Sequence, residues 1–266
     1  MSLVRRLTER WWPPKWLYAT YERGVLEKLD KESLPEHVAV LADGNRRWAR
    51  MNAPGEPLVA GYRAGAAKLL EFVEWCEEAG LKVVTLWVLS TENLSRGEEA
   101  ELTPLLGVIQ DLVRDLAATR RWRVHVVGAL DLLDDGCADA LRTASASTEG
   151  IDGMVVNVAI AYGGRHELRD AVRSLLAEKA QDGASLEEIA ETLEIDQISE
   201  HLYTKGQPDP DLIIRTSGEQ RLSGFLLWQS AHSEFYFCEA LWPDFRRVDF
   251  VRALRAYTQR ERRFGR

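Results

Sequence analysis

At 266 residues, with 45% hydrophobic and 29% charged residues, the chain can build one large α/β domain with a sizeable core, which excludes a disordered or fibrous protein. A formal net charge of −8 repels nucleic acid as a whole, so any anionic ligand must be drawn by a local basic cluster. Three widely spaced cysteines (Cys76, Cys137, Cys238) argue against a disulfide framework or a C-x-x-C zinc site, no apolar run approaches the roughly 20 residues of a membrane span, and the start lacks a signal peptide's apolar core, so cytoplasm is the default compartment.

In chain order, residues 1–30 read as a segment apart from the domain at 31–266. Within it RRLTERWWPPKWLYATY interleaves Arg5, Arg6, Arg10 and Lys15 with Trp11, Trp12 and Trp16. That mixture suits peripheral contact with the inner face of a membrane, or docking onto its own domain or a partner subunit. Short β-branched runs then alternate with helical patterns. Strands are predicted at 37–43, 82–89, 122–128, 154–161, 211–217 and 234–238, and helices at about 60–79, 98–119, 135–147, 165–180, 185–203 and 247–262. This alternation predicts a single α/β domain with a mostly parallel six-stranded sheet flanked by helices. Ligands of such open sheets bind outside the carboxyl ends of the strands.

The predicted strand ends carry the chemistry. After the first comes Asp43-Gly44-Asn45-Arg46-Arg47-Trp48, and after the second Ser90-Thr91-Glu92-Asn93, with Arg96 close behind. Tyr162-Gly163-Gly164-Arg165 follows the fourth, the stretch from Arg215 to Ser223 follows the fifth, and Glu234 lies near the sixth. Taken singly, each has an ordinary reading: Asp43-Gly44 as a surface turn, Gly163-Gly164 as a tight turn, Ser90 and Thr91 as helix caps, Glu234 as an arginine's partner. Taken together, they suit diphosphates. Arginine forks at 46/47 and 215/221 suggest two diphosphate subsites, and Asp43 and Glu234 are hard oxygen ligands suited to Mg²⁺. Arg50 reads as solvated. No G-x-x-x-x-G-K-[ST], G-x-G-x-x-G, G-x-S-x-G or H-E-x-x-H motif is present, and His37, His125, His166, His201 and His232 read as structural.

The motifs HVAVLADGNRRWA, STENLSR, NVAIAYGGR, DLIIRTSGEQRLSGFLLWQSAHSE and RERRFG, in that order from His37 onward, resemble the cis-prenyltransferases, or undecaprenyl diphosphate synthase-like enzymes. The resemblance implies a catalytic domain over 31–266, with an apolar tunnel between sheet and helices walled by the second strand and the 98–119 helix. It implies Mg²⁺-dependent cis-condensation of isopentenyl diphosphate with an allylic diphosphate in a homodimer. Asp43 would work with Mg²⁺ and the allylic diphosphate, and Glu234 would help position the metal. Gly44, Asn45, Arg46, Arg47 and Trp48, with Ser90, Glu92, Asn93 and Arg96, would surround the allylic diphosphate. Asn45 and Ser90 are linked to proton removal or diphosphate positioning. Arg215, Arg221 and Ser223 would bind isopentenyl diphosphate, and Arg263 and Gly265 would reach the neighbouring site across the dimer.

The chain departs from the long-chain pattern at Tyr62 (often histidine), Leu58 (arginine), Leu94 (tryptophan), Gln220 (histidine) and Ala129 (aspartate), and 51–59 is slightly longer. At the family's chain-length position long-chain enzymes often carry alanine, and Val88 would narrow the tunnel there. The resemblance therefore points to geranyl diphosphate as primer and (2Z,6E)-farnesyl diphosphate as product. The alternatives are a medium- or long-chain synthase and a non-catalytic partner subunit.

Overall fold

The structure is a computed structural model, described here for residues 33–96 and 99–260. Strands β1 (His37–Leu41), β2 (Val83–Trp87), β3 (Arg123–Val127), β4 (Val155–Ala159), β5 (Leu212–Arg215) and β6 (Glu234–Phe237) coincide with the six predicted runs. They form one sheet in the order β3-β4-β2-β1-β5-β6, and every pairing is parallel. The sequence dictates this because the central runs are apolar on both faces. In β1, Val38 and Val40 are as buried as Ala39 and Leu41 on the other side, the pattern of a sheet covered twice.

The helices are α1 (Asn45–Asn52), α2 (Val59–Glu78), α3 (Thr91–Arg96), α4 (Glu99–Ala118), α5 (Asp135–Ala146), α6 (Gly164–Gln181), α7 (Leu186–Thr192), α8 (Ile195–Ser199) and α9 (Arg247–Thr258). Three departures from expectation appear. Helix α1 occupies the stretch read as a turn, α3 lies where no helix was predicted, and the predicted helix at 185–203 is two helices. Leu193 and Glu194 are extended there, Ser185 opens α7 with a capping box, and Glu194 opens α8 with another. The sheet and α1–α8 lie in one compact unit, Pro35–Phe245; α9 lies in another, its start fixed by the Asp249 carboxylate, which accepts from Arg246 N and Nε. Among the described residues no helix is long and apolar enough to cross a membrane.

Two features of the packing position the site. Helix α2 presents Gly61 and Gly65, one turn apart, to α1. A Cβ at Gly61 would stand 2.2 Å from Asn45 O, and one at Gly65 would stand 2.4 Å from Asn45 Oδ1, so only glycine lets the two helices approach this closely. The Trp242 indole N–H donates to Gly65 O at 2.9 Å, and its ring stacks on Phe245 with centroids 5.4 Å apart. The second feature is topology. From β1 the chain crosses to β2 on one side, and from β5 to β6 on the other, so the winding reverses between the adjacent strands β1 and β5. The carboxyl ends of these two strands flank the switch-point crevice where open sheets bind ligands.

Candidate active site

Asp43 follows β1 at that crevice. Its backbone N–H donates to Thr216 Oγ1 at 3.0 Å, and Trp242 N donates to its carbonyl at 2.9 Å, so both peptide groups are braced. Gly44 then takes φ 111°, a left-handed conformation that a side chain resists, and a Cβ there would stand 2.9 Å from Leu241 Cδ2. This turn launches α1. Its first intrahelical donor is Trp48 N, bonded to Gly44 O, so the N–H groups of Asn45, Arg46 and Arg47 remain as an anion-receiving helix end. The turn at Gly44 therefore serves the helix end that follows it.

Arginines converge on this end. Arg47 Nη1 donates to Ser217 O at 3.2 Å and Nη2 lies 3.8 Å from Asp43 Oδ2. Arg215, the last residue of β5, is only 5% exposed; Nη2 lies 3.4 Å from Asp43 Oδ2, while Nη1 donates to Arg221 O and to Ser223 Oγ. Burial pulls its guanidinium below the ordinary arginine value, against the opposing pull of Asp43. Ser217 and Ser223 hold left-handed backbones, φ 76° and 52°, which places local strain at this loop. Ser90 Oγ accepts from Asn93 N at 3.0 Å and caps α3.

These groups line two adjoining cavities. The first, about 370 Å³, has a polar end of Asp43, Gly44, Asn45, Arg46, Arg47 and Arg50. Its body is apolar, with Ala66 and Leu69 from α2, Val88 and Leu89 after β2, and Leu102, Leu105, Val108, Ile109 and Leu112 from α4. The α4 residues fall at spacings of three and four, one helical face. This is the expected apolar passage between sheet and helices, with the predicted walls. The second, about 450 Å³, is lined by Ser90, Glu92, Asn93, Arg215, Arg221 and Ser223, and it shares Asp43, Trp87 and Val88 with the first.

Not every predicted site residue is brought here. Trp48 lines neither cavity; its indole N–H donates to Asp244 Oδ1 at 2.8 Å. The Tyr162-Gly163-Gly164-Arg165 run also lines neither; its glycines admit close contacts, a Cβ at Gly164 falling 2.4 Å from Gly224 O. Glu234 stands apart from these groups. It opens β6 opposite Leu212, whereas Arg215 pairs with Phe237 at the other end, so Glu234 stands about 10 Å of strand away from the carboxyl edge, and one chain does not join it to Asp43. Arg96 lies on α3, and Arg263 and Gly265 lie outside the described residues.

Four further contributors gain a role here only through the fold. Arg50 lines the first cavity one turn from Arg46, a signal visible in their spacing once α1 is known. Thr216 braces Asp43, and Tyr62 and Glu101 hold Arg46. As for a metal, Asp43 is the carboxylate common to both cavities; its side chain is 43% exposed and its Oδ1 has no hydrogen-bond partner among the described residues. One such carboxylate, completed by phosphate oxygens and water, fits the coordination habit of Mg²⁺. No group of three or more His, Cys, Asp or Glu that could hold a metal occurs among the described residues.

The comparisons agree with this geometry. The prenyltransferase family described as "Putative undecaprenyl diphosphate synthase" matches residues 41–265. The (2Z,6E)-farnesyl diphosphate synthase of Thermobifida fusca is 58% identical over 249 residues, covering 94% of this chain and 97% of that one. Isoprenyl transferase 1 of Streptomyces avermitilis is 56% identical over 245 residues, covering 92% and 94%. The crystal structure of lavandulyl diphosphate synthase from Lavandula x intermedia, in complex with dimethylallyl diphosphate, superposes with a TM-score of 0.80 at 33% identity, covering 88% of this chain and 100% of that one. With the switch-point site, the two arginine-bearing cavities and these similarities in place, the chain belongs to the undecaprenyl diphosphate synthase-like family and is a cis-prenyltransferase.

Proposed function

We propose that the protein condenses isopentenyl diphosphate with geranyl diphosphate to give (2Z,6E)-farnesyl diphosphate and free diphosphate, with Mg²⁺ held at Asp43. One observation carries the reading: two cavities, each with its own arginines, meet at Asp43 and Val88, and the first continues between apolar walls. At about 370 Å³ it falls within the roughly 300–1,000 Å³ of ligand pockets, and Val88 stands in its wall. The relative from Thermobifida fusca, named for this product, supports the same choice.

In this reading the allylic diphosphate lies against the N–H groups of α1 and against Arg46 and Arg47, with its tail between α2 and α4. Isopentenyl diphosphate occupies the second cavity, against Arg221 and Ser223, where Arg215 fixes the loop. Breaking the allylic C–O bond moves negative charge onto the leaving diphosphate, so the fixed N–H groups and guanidinium groups bind the transition state more tightly than the substrate. Magnesium, when bound, supplies further neutralisation of that charge. The new bond joins C1 of the allyl to C4 of the isopentenyl unit, and C2 of the latter loses a proton. Asn45 lines the first cavity and Ser90 the second. An amide and a hydroxyl are weaker bases than a diphosphate oxygen, so these two orient the unit and the departing diphosphate takes the proton. The working form is a cytoplasmic homodimer in which Arg263 and Gly265 complete the neighbouring site, and the Trp-rich N-terminus docks on protein or touches the membrane face.

The test is incubation of purified protein with labelled isopentenyl diphosphate, geranyl diphosphate and Mg²⁺, followed by solvent extraction. Labelled prenyl product is expected from the wild type, with at least ~100-fold less from Asp43→Asn at an unchanged circular dichroism spectrum. No extractable product from wild type with any primer would overturn the proposal, and full activity in Asp43→Asn would remove the metal assignment.

A further inference from the structure

Arg46, at the polar end of the first cavity, is gripped from behind. Its Nε–H lies 2.8 Å from the Tyr62 hydroxyl oxygen and 2.7 Å from Glu101 Oε1, and the Tyr62 hydroxyl is hydrogen-bonded to the same carboxylate oxygen. The three side chains come from the first turns of three helices, α1, α2 and α4. The proton positions follow from the chemistry of the groups. A guanidinium cannot accept and a carboxylate cannot donate, so the phenol donates to Glu101 and accepts from Arg46. Burial, with the neighbouring carboxylate, pushes the Tyr62 hydroxyl up to about 12, so its proton is in place across the neutral range.

The grip uses only one edge of the guanidinium. Among the described residues nothing hydrogen-bonds to Nη1 or Nη2 of Arg46, and the residue lines the cavity. An arginine paired to Glu101 through its terminal nitrogens would have its fork occupied; here the fork stays open and the side chain is fixed. The remaining two nitrogens are the pair that meets two phosphate oxygens in a bidentate contact.

We propose that Tyr62 and Glu101 are positioning residues that hold Arg46 by its Nε edge and so make it a preset clamp for the diphosphate of the allylic substrate. This rests on the reading of the first cavity as the allylic site. It also explains why an acid sits beside an anion-binding end. The Arg46–Glu101 pair is neutral overall, so Arg46 contributes through geometry rather than through added charge, and its carboxylate partner is already occupied by two donors. Glu101 is adjacent to Leu102 in the cavity wall, so the clamp and the wall for the tail share one turn of α4.

Geometry and charge predict opposite results for Glu101→Gln. If charge alone mattered, removing the acid would strengthen diphosphate binding; if the grip matters, binding weakens. Steady-state kinetics on Tyr62→Phe, Glu101→Gln and Arg46→Lys should show KM for geranyl diphosphate raised about 5- to 10-fold in each, kcat lowered by no more than that factor, and KM for isopentenyl diphosphate within about twofold of wild type. Adding Tyr62→Phe to Arg46→Lys should produce no further rise, because both act through one guanidinium. A lower KM in Glu101→Gln, or equal losses in kcat and in both KM values, would overturn the proposal. If the wild type uses no allylic diphosphate, the cavity assignment falls separately, and calorimetric titration with inorganic diphosphate and Mg²⁺ still decides the clamp: weaker binding in Tyr62→Phe supports it, and equal binding refutes it.

Discussion

At the scale of single residues, the strongest constraints are pairings between distant parts of the chain. Asp43 is braced by Thr216, 173 positions away, and Tyr62 reaches Glu101 across 39. Sequence pattern exposes Asp43, Arg47 and Arg215 because each stands just beyond an apolar run, but it carries no sign of a partner that only the fold delivers. Tyr62 registered only as a departure from the long-chain pattern. His37 is a structural counterpart, 1% exposed in β1. Its Nδ1 lies 2.8 Å from Pro208 O, which can only accept, so Nδ1 carries the proton and Nε2 accepts from Thr85 Oγ1 at 2.8 Å. Burial lowers its pKa from 6.5 to about 4. Between those values the unfolded chain binds a proton that the folded chain refuses, so this contribution is complete above pH 6.5 and is lost as pH falls towards 4, by up to about 3 kcal/mol. Urea unfolding at pH 7.5 and pH 5 should show that slope in the wild type and a flatter one in His37→Gln. Parallel slopes would contradict the assignment.

At the scale of elements, all six strands were legible because β-branched runs of five to eight residues bounded by polar loops have few other readings. Helix α1 was not. It has eight residues, three of them arginine, and only Ala49 is buried, so it shows no apolar stripe to read. Its place is set by the glycines of α2 instead. Gly65→Ala would drive a methyl group to 2.4 Å from Asn45 Oδ1, displacing the amide in the wall of the first cavity. The expected result is a fall in kcat of about 10-fold or more with helix content retained, since a misplacement near 1 Å in a positioned group costs on the order of 100-fold. Gly107→Ala in α4 is the control: no atom lies within 4 Å of its Cβ position. That change should leave kcat intact and add about 0.5–1 kcal/mol of stability through helix propensity. Equal kinetics in the two variants would refute the α1–α2 argument.

At the scale of the whole molecule, the alternation of strand and helix made the sheet and its working edge legible, while the reversal of winding between β1 and β5 was not, since strand order is absent from the periodicity. The same topology explains where Glu234 lies: a sixth strand parallel to the fifth sends its first residue to the edge opposite Asp43. A chain of net charge −8 gathers Arg46, Arg47, Arg50, Arg215 and Arg221 around two joined cavities, which concentrates anion affinity in one place. In the function proposed above, these cavities run one cis-condensation and Val88, shared by both, limits the product. Chromatography of the products formed from geranyl diphosphate by wild type and Val88→Ala tests it most directly. A C15 product is expected from the wild type and longer products from Val88→Ala; a wild-type ladder of long polyprenyl diphosphates, unchanged by Val88→Ala, would contradict that role.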